Sequence, residues 1–402
     1  MTRTAAACGT ILYSGSLAQP TRNGGLSWFH LQFVLGFRRL GWDVLFLDRL
    51  APGMCRDRAG AQPCPVERSA NLRYFLDVMD RFGVGPASYS LAVQDGGGNE
   101  VGRVGLPRDR VLDRARRSAA LVNAMGFCDD PDVLAAVPRR AFLDMDPGFG
   151  QMWRALGLHD PFAGHDAFVT LGRNVGRPGC PIPTGGLPWV TMPQPVVLEH
   201  WPAAPPPPAD TRAAFTSIGA WRGPNGPVEY EGVTYGLRCH EFRRFADLPR
   251  RRPATRFELA LDIHAGDARD VELLTGNGWQ LSDPAAVAGD PWRYRDYMAG
   301  SRAEFMVPKH MYVAADSGLL SDRSAYYLAT GRPVLARDTG IRHLYPTGKG
   351  LVTFATPDEA ADGVDEINGD YAAHCRAARE IAVEHFDSDR VLSRLLTDLG
   401  LT

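Results

Sequence analysis

A run of prolines, Trp201-Pro202-Ala203-Ala204-Pro205-Pro206-Pro207-Pro208, divides the chain into two stretches that each alternate strand-type and helix-type sequence. Proline fixes φ and lacks a backbone donor, so the run disfavours helix and sheet interior and favours an extended connector. With 402 residues there is room for two domains, each burying its own core. The expected division is a first domain over 1–200, a linker over 201–209, a second domain over 210–386 and a terminal helix over 387–402. That helix carries an apolar stripe at Val391, Leu392, Leu395, Leu396 and Leu399.

The first stretch opens with a strand at Ile11-Leu12-Tyr13, a loop at Asn23-Gly24-Gly25, a helix bearing Trp28, Leu31 and Leu35 on one face, a stop at Gly41, and a strand over 43–48. This is a βαβ unit, and its crossover returns the chain to a parallel sheet. Further strands are predicted over 139–144 and 167–171, and residues 109–125 have helical composition. Beyond the prolines the pattern restarts, with strands over 214–219, 257–262, 303–307, 333–336 and 351–354 and a helix over 322–330.

Charge and composition narrow the function. Forty-four basic against 46 acidic side chains give a formal net charge of -2, so no broad basic field attracts a phosphate backbone, and nucleic acid is not an expected partner. Only Lys309 and Lys349 carry ammonium groups. No run of 18 apolar residues provides a membrane span, and the N-terminal apolar stretch is too brief for a cleaved signal. Seven cysteines without a C-x-x-C pair argue against a disulfide framework or a zinc ribbon, and a reducing cytoplasm is the expected location. The loop at 23–25 is not G-x-G-x-x-G, and Thr347-Gly348-Lys349-Gly350 lacks the hydroxyl residue that completes a P-loop.

The most informative segment is 316–340, DSGLLSDRSAYYLATGRPVLARDTG. Ser321 is placed as the N-cap of a helix that stops at Gly331, with Ser317 and Gly318 in the approach loop. Free N–H groups at that helix start, with Ser324 in its first turn and Arg323 beside it, suit a phosphate or diphosphate. Asp338-Thr339-Gly340 follows the next strand and is expected at the same sheet edge.

This arrangement of strand, Gly-containing loop, helix, Gly-Arg-Pro-Val strand and Asp-Thr-Gly over 303–340 resembles the donor-binding half of GT-B glycosyltransferases of the group 1 type. The resemblance implies an α/β fold of two Rossmann-like domains facing each other across a cleft. The second domain would bind a nucleoside-diphosphate-sugar, the first an acceptor, and the terminal helix would cross back to the first domain. It places Gly219, Trp221 and Arg222 near the diphosphate. His264, Glu304, Lys309 and His310 are further candidate donor contacts, beside Ser317, Gly318, Ser321, Asp322, Arg323, Ser324, Asp338, Thr339 and Gly340. The pattern departs from many retaining members at Tyr326, where they carry Glu, and Asp322 or Glu304 is a candidate for the sugar-hydroxyl contacts.

On the acceptor side the candidates are Asn23, Gly24, Gly25, Gln151 and Asn174. Asp144, Asp146 and His30 are the candidate catalytic bases. Asp144-Met145-Asp146 is also the Asp-x-Asp pattern that holds a divalent metal in GT-A enzymes, but its place in the first half argues against that use. The expected activity is therefore metal-independent, cofactor-free transfer of a sugar to a small-molecule acceptor, natural products included. A nucleotide-sugar epimerase or hydrolase, or a non-catalytic nucleotide-sugar-binding protein, is the alternative on the same fold.

Overall fold

The computed structural model describes residues 8–20, 22–57, 62–205 and 213–401. Residues 206–209 of the expected linker lie outside them, as do the first seven residues and Thr402.

Eight strands form the first sheet: β1 (Thr10–Ser14), β2 (Asp43–Leu50), β3 (Tyr89–Gln94), β4 (Glu100–Gly105), β5 (Ala120–Ala124), β6 (Arg140–Asp144), β7 (Ala167–Thr170) and β8 (Trp189–Thr191). Their order is β4-β3-β2-β1-β5-β6-β7-β8, with only the β3–β4 pair antiparallel. The order reverses between β1 and β5, which opens a crevice at the carboxyl ends of those strands. The 109–125 segment corrects the sequence reading. It is a helix only over Arg108–Arg117, and Ala120-Leu121-Val122-Asn123-Ala124 is the buried strand β5. Ser118 ends the helix in an extended conformation, and five buried residues, apolar except for Asn123, then pair with β1 and β6.

The second sheet contains β9 (Phe215–Ala220), β12 (Phe257–Asp262), β13 (Gln280–Leu281), β14 (Ala303–Met306), β15 (Val334–Arg337) and β16 (Leu351–Phe354), all parallel in the order β13-β12-β9-β14-β15-β16. A short hairpin of β10 (Val228–Tyr230) and β11 (Val233–Tyr235) follows β9. The strand order again reverses, here between β9 and β14, so each sheet has its own crevice.

Three of the contacts between the two domains lie at the linker and the terminal helix. The Ser388–Asp398 helix lies on the Gly24–Arg39 helix of the first domain, where Arg39 Nε donates to Asp389 at 3.0 Å and Gly36 leaves room for Leu392. Val196 N donates to Phe386 O at 2.7 Å, and its carbonyl accepts from Ser388 N at 2.9 Å. Trp201, at the start of the proline run, stacks on Tyr326 with ring centroids 4.4 Å apart and also meets Trp28. Tyr326 is fully buried in this joint, which accounts for an aromatic residue at that position.

Candidate functional site

The carboxyl ends of both sheets face a cavity of about 1220 Å³. From the first domain its walls include Asn23, Phe29, Met125, Phe127 and Asp146; from the second, Gly219, Asn225, Arg238, Asp262, Lys309, Tyr312, Asp322 and Arg323.

Two guanidiniums, Arg238 and Arg323, stand together on the second-domain wall. Arg323 stands in the first turn of the Asp322–Ala329 helix, with its side chain 14% exposed. Arg238 reaches across from the helix after the β10–β11 hairpin, and its Nη1 donates to Ile218 O at 3.3 Å. Burial and the neighbouring Arg323 charge push the Arg238 guanidinium down to about 9. Glu304, buried on β14, lies 3.5 Å from Arg323 Nε, a distance that leaves both carboxylate oxygens and that nitrogen without a hydrogen bond. Burial raises the Glu304 carboxyl above its ordinary range. The two crowded guanidiniums face two carboxylates, Glu304 and Asp322, neither of which hydrogen-bonds them, so N–H donors on both are open to an incoming anion.

The helix start adds to those open donors. Ser321 occupies the N-cap position, but its hydroxyl donates to Asp322 at 3.1 Å and makes no capping bond, so the first-turn N–H groups lack a side-chain partner. Ser324 Oγ is buried nearby, also without a partner. Gly219, next to last in β9, has φ at +145°, and a Cβ there would lie 2.9 Å from Arg238 Nη1, so glycine lets this strand end approach the guanidinium.

Opposite, Asp146 projects from the turn after β6. Lys309 Nζ and Tyr312 Oη both bond to its carboxylate, and Asn225 Nδ2 donates at 3.3 Å. All three donors belong to the second domain, so Asp146 is the polar bridge across the cavity.

Other expected residues fall elsewhere. Asp144 is buried; Gln151 Nε2 donates to it at 2.7 Å, Thr170 Oγ1 at 2.8 Å and the Asp146 N–H at 3.1 Å. Asp144 and Gln151 thus brace the turn that presents Asp146. His30 is fully buried, its Nδ1 2.9 Å from Tyr13 Oη and its Nε2 accepting from Ser16 N at 3.1 Å. Burial pushes this imidazole down to about 3, and with both nitrogens occupied it has no access to a substrate. Trp221 is core: fully buried, it donates through Nε1 to Asp270 at 2.7 Å and stacks on nothing in the cleft. Arg222 forms a two-bond pair with Asp267, His264 Nδ1 caps the following turn by accepting from Gly266 N, and His310 Nδ1 accepts from Gly236 N.

Asn23 caps the Gly24–Arg39 helix by accepting from Leu26 N at 2.9 Å. Gly24 packs against the Asp290 carbonyl and Gly25 against the Tyr294 ring, so these glycines serve domain contact, with Gly25 also at the cavity wall. Asn174 joins the domains: its N–H donates to Ser317 O at 3.0 Å and its Nδ2 to Asp316 O at 2.8 Å. Gly318 at φ +70° and Gly340 at φ +87° make room for that side chain. Asp338 accepts from the Gly340 and Ile341 N–H groups, and Thr339 Oγ1 donates to Leu319 O, so 338–340 supports the approach loop from behind. Arg238, Asn225 and Tyr312 were absent from the sequence candidates. Tyr312 had a signal in its i, i+3 spacing from Lys309 on the His310–Ala314 helix.

The Asp144 environment carries a pH signature. Burial lifts its carboxyl from the ordinary 3.8 to about 6, with Gln151 and Thr170 opposing. Between those values the folded chain binds the extra proton. This group's contribution is therefore full below the unfolded pKa and is lost as pH rises through the folded one. Asp144→Asn, neutral throughout, is expected to gain about 2 kcal/mol relative to wild type between about pH 4 and pH 8. Urea unfolding at both pH values measures this, and a pH-independent difference would contradict a buried acid at this position.

Residues 254–397 match a family model described as glycosyl transferase-like. No curated protein is similar enough in sequence to count as a match. Among solved structures, an alpha-glucosyltransferase in complex with UDP-glucose and DNA containing an abasic site superposes with a TM-score of 0.60 at 13% identity, covering 98% of this chain and 99% of that one. HepE of Anabaena in complex with UDP-glucose superposes with a TM-score of 0.56 at 13% identity, covering 98% of this chain and all of the other. The GT-B resemblance expected from residues 303–340 is thereby borne out at the level of the fold.

Proposed function

We propose that this chain, a protein of GT-B fold whose second half matches the glycosyl transferase-like family, transfers a sugar from a nucleoside diphosphate to the hydroxyl of an acceptor that is not a nucleic acid. The observation that carries the reading is the meeting of Arg238, Arg323 and an uncapped helix start at the carboxyl end of β9, where the strand order reverses. The diphosphate accepts from the open N–H donors there. The nucleoside runs along Asp262 and Ile263 toward Asp283, and the sugar points to Asp146, Asn225 and Lys309.

In the reaction the acceptor oxygen bonds to the anomeric carbon as the bond from that carbon to the diphosphate breaks. The two guanidiniums neutralise the charge that gathers on the leaving diphosphate. The acceptor's proton passes to Asp146, the one first-domain carboxylate on the cavity wall among the described residues. Metal independence is supported by the partners of both aspartates: Asp144 is committed to Gln151 and Thr170, and Asp146 already has the Lys309 ammonium as its cation beside Tyr312 and Asn225, which leaves a lone pair for a proton and no pair of free carboxylates for a metal. UDP is the favoured nucleotide because both structures of like fold hold UDP-glucose. A net charge of -2 weighs against a DNA acceptor, although one of those proteins is bound to DNA.

A thermal-unfolding screen against UDP, GDP, dTDP, ADP and CDP, each with EDTA or magnesium, tests the reading. Stabilisation by one nucleotide, equal in EDTA and magnesium, is expected. A shift only with magnesium would overturn metal independence, and no shift with any nucleotide would overturn the donor assignment.

A further inference from the structure

A second cavity, of about 670 Å³, lies over the first sheet from the end of β1 across β2 to the β3–β4 hairpin, closed on its inner side by the loop that follows β5. Ser14 ends β1 there, Asp48 and Arg49 lie near the end of β2, and the β3–β4 hairpin forms the far wall. Phe127 lines this cavity and the interdomain one alike, so the two spaces adjoin at that ring. The volume is that of a small-molecule site.

The lining chemistry selects the occupant. Three arginines, Arg49, Arg103 and Arg108, are already matched by Asp129, Glu100 and Asp130, and Asp48 adds a further carboxyl. None of the three lacks a hydrogen-bonded carboxylate, in contrast to the Arg238–Arg323 wall. Phe127 is the one aromatic ring among the lining residues, which leaves no stacked platform for a flat polycycle or a base. What the walls offer is alternating N–H donors and carboxylate acceptors, the pairing that hydroxyl groups satisfy because each both donates and accepts. Arg49 Nε is buried there without a hydrogen-bond partner.

We infer that this cavity seats the acceptor, and that the acceptor is a neutral, polyhydroxylated molecule of the saccharide class whose reacting hydroxyl passes Phe127 toward Asp146. The inference rests on the transferase reading above but stands on a different cavity, so the two can fail separately.

Saturation-transfer NMR on the full chain, with UDP and a panel of neutral methyl mono- and disaccharides, tests it; p-nitrophenol and a DNA oligomer serve as comparison probes. Saturation on saccharide ring protons is expected. Ala92→Trp, which fills the cavity from β3, and Gly102→Leu, which fills it from the exposed edge strand β4, are each expected to lower saccharide binding roughly tenfold while the UDP signals persist. UDP signals without any saccharide signal, saccharide binding unchanged in both variants, or binding of p-nitrophenol or DNA in place of saccharides would overturn the inference. Saccharide binding without UDP binding would support the cavity and remove the donor reading instead.

Discussion

Alanine at Arg323 is expected to lower the affinity for UDP by roughly 10- to 100-fold, the worth of one charge-assisted contact to a diphosphate. Two effects must be separated in this variant. Arg323 also faces Glu304, which is buried with neither oxygen hydrogen-bonded, so its removal leaves that carboxyl with Arg238 as its cationic neighbour and is expected to cost about 1–3 kcal/mol in stability. In Arg323→Ala/Glu304→Gln the buried charge is gone, and thermal stability is expected to return most of the way to wild type. The UDP affinity is not expected to recover, because the guanidinium itself makes the contact. Titration calorimetry with UDP and with uridine checks this, since only the diphosphate-bearing ligand should weaken. Full UDP affinity in the double variant would remove Arg323 from the site.

Asp146→Asn is expected to reduce kcat by about 10²–10⁴, the range for loss of a general base, with the donor KM changed less than about threefold. The amide is nearly isosteric and still accepts from Tyr312 or Asn225, so the bridge between the domains is weakened without an unfilled space. Lys309 loses its counter-charge but keeps its place over the Phe149 ring, 4.8 Å from the centroid. Initial-rate kinetics at saturating donor separate the outcomes. A fall in kcat alone fits proton transfer, a rise in donor KM alone fits a role in holding the domains together, and a kcat near wild type would exclude Asp146 as the base.

Much of the fold was readable because its signals are local. The strand over Phe257–Asp262 and the helix over Asp322–Ala329 follow from short apolar runs bounded by helix-start and turn residues. Strand β5 escaped because Ala120-Leu121-Val122-Asn123-Ala124 follows a real helix after only two residues, and alanine and leucine suit both states. The site was legible to the level of the loop and no further. A strand end shows which loop reaches the cleft, but Trp221 and Arg222, adjacent in one loop, turn to the core and to Asp267. His264 and His310 likewise spend their nitrogens on backbone N–H groups. Arg238 gave no signal, since it enters the site from a helix after a hairpin. The second cavity is built from strand ends far apart in sequence.

The most direct measurement is mass spectrometry of the wild-type chain incubated with UDP-glucose and the neutral saccharide panel in EDTA. UDP release matched by addition of one sugar residue to an acceptor is the expected result, with both signals lost together in Arg323→Ala/Glu304→Gln at low donor concentration. Intact donor after prolonged incubation with every acceptor, under conditions where the chain is folded and binds UDP, would contradict a transferase and leave a nucleotide-sugar-binding protein on this fold.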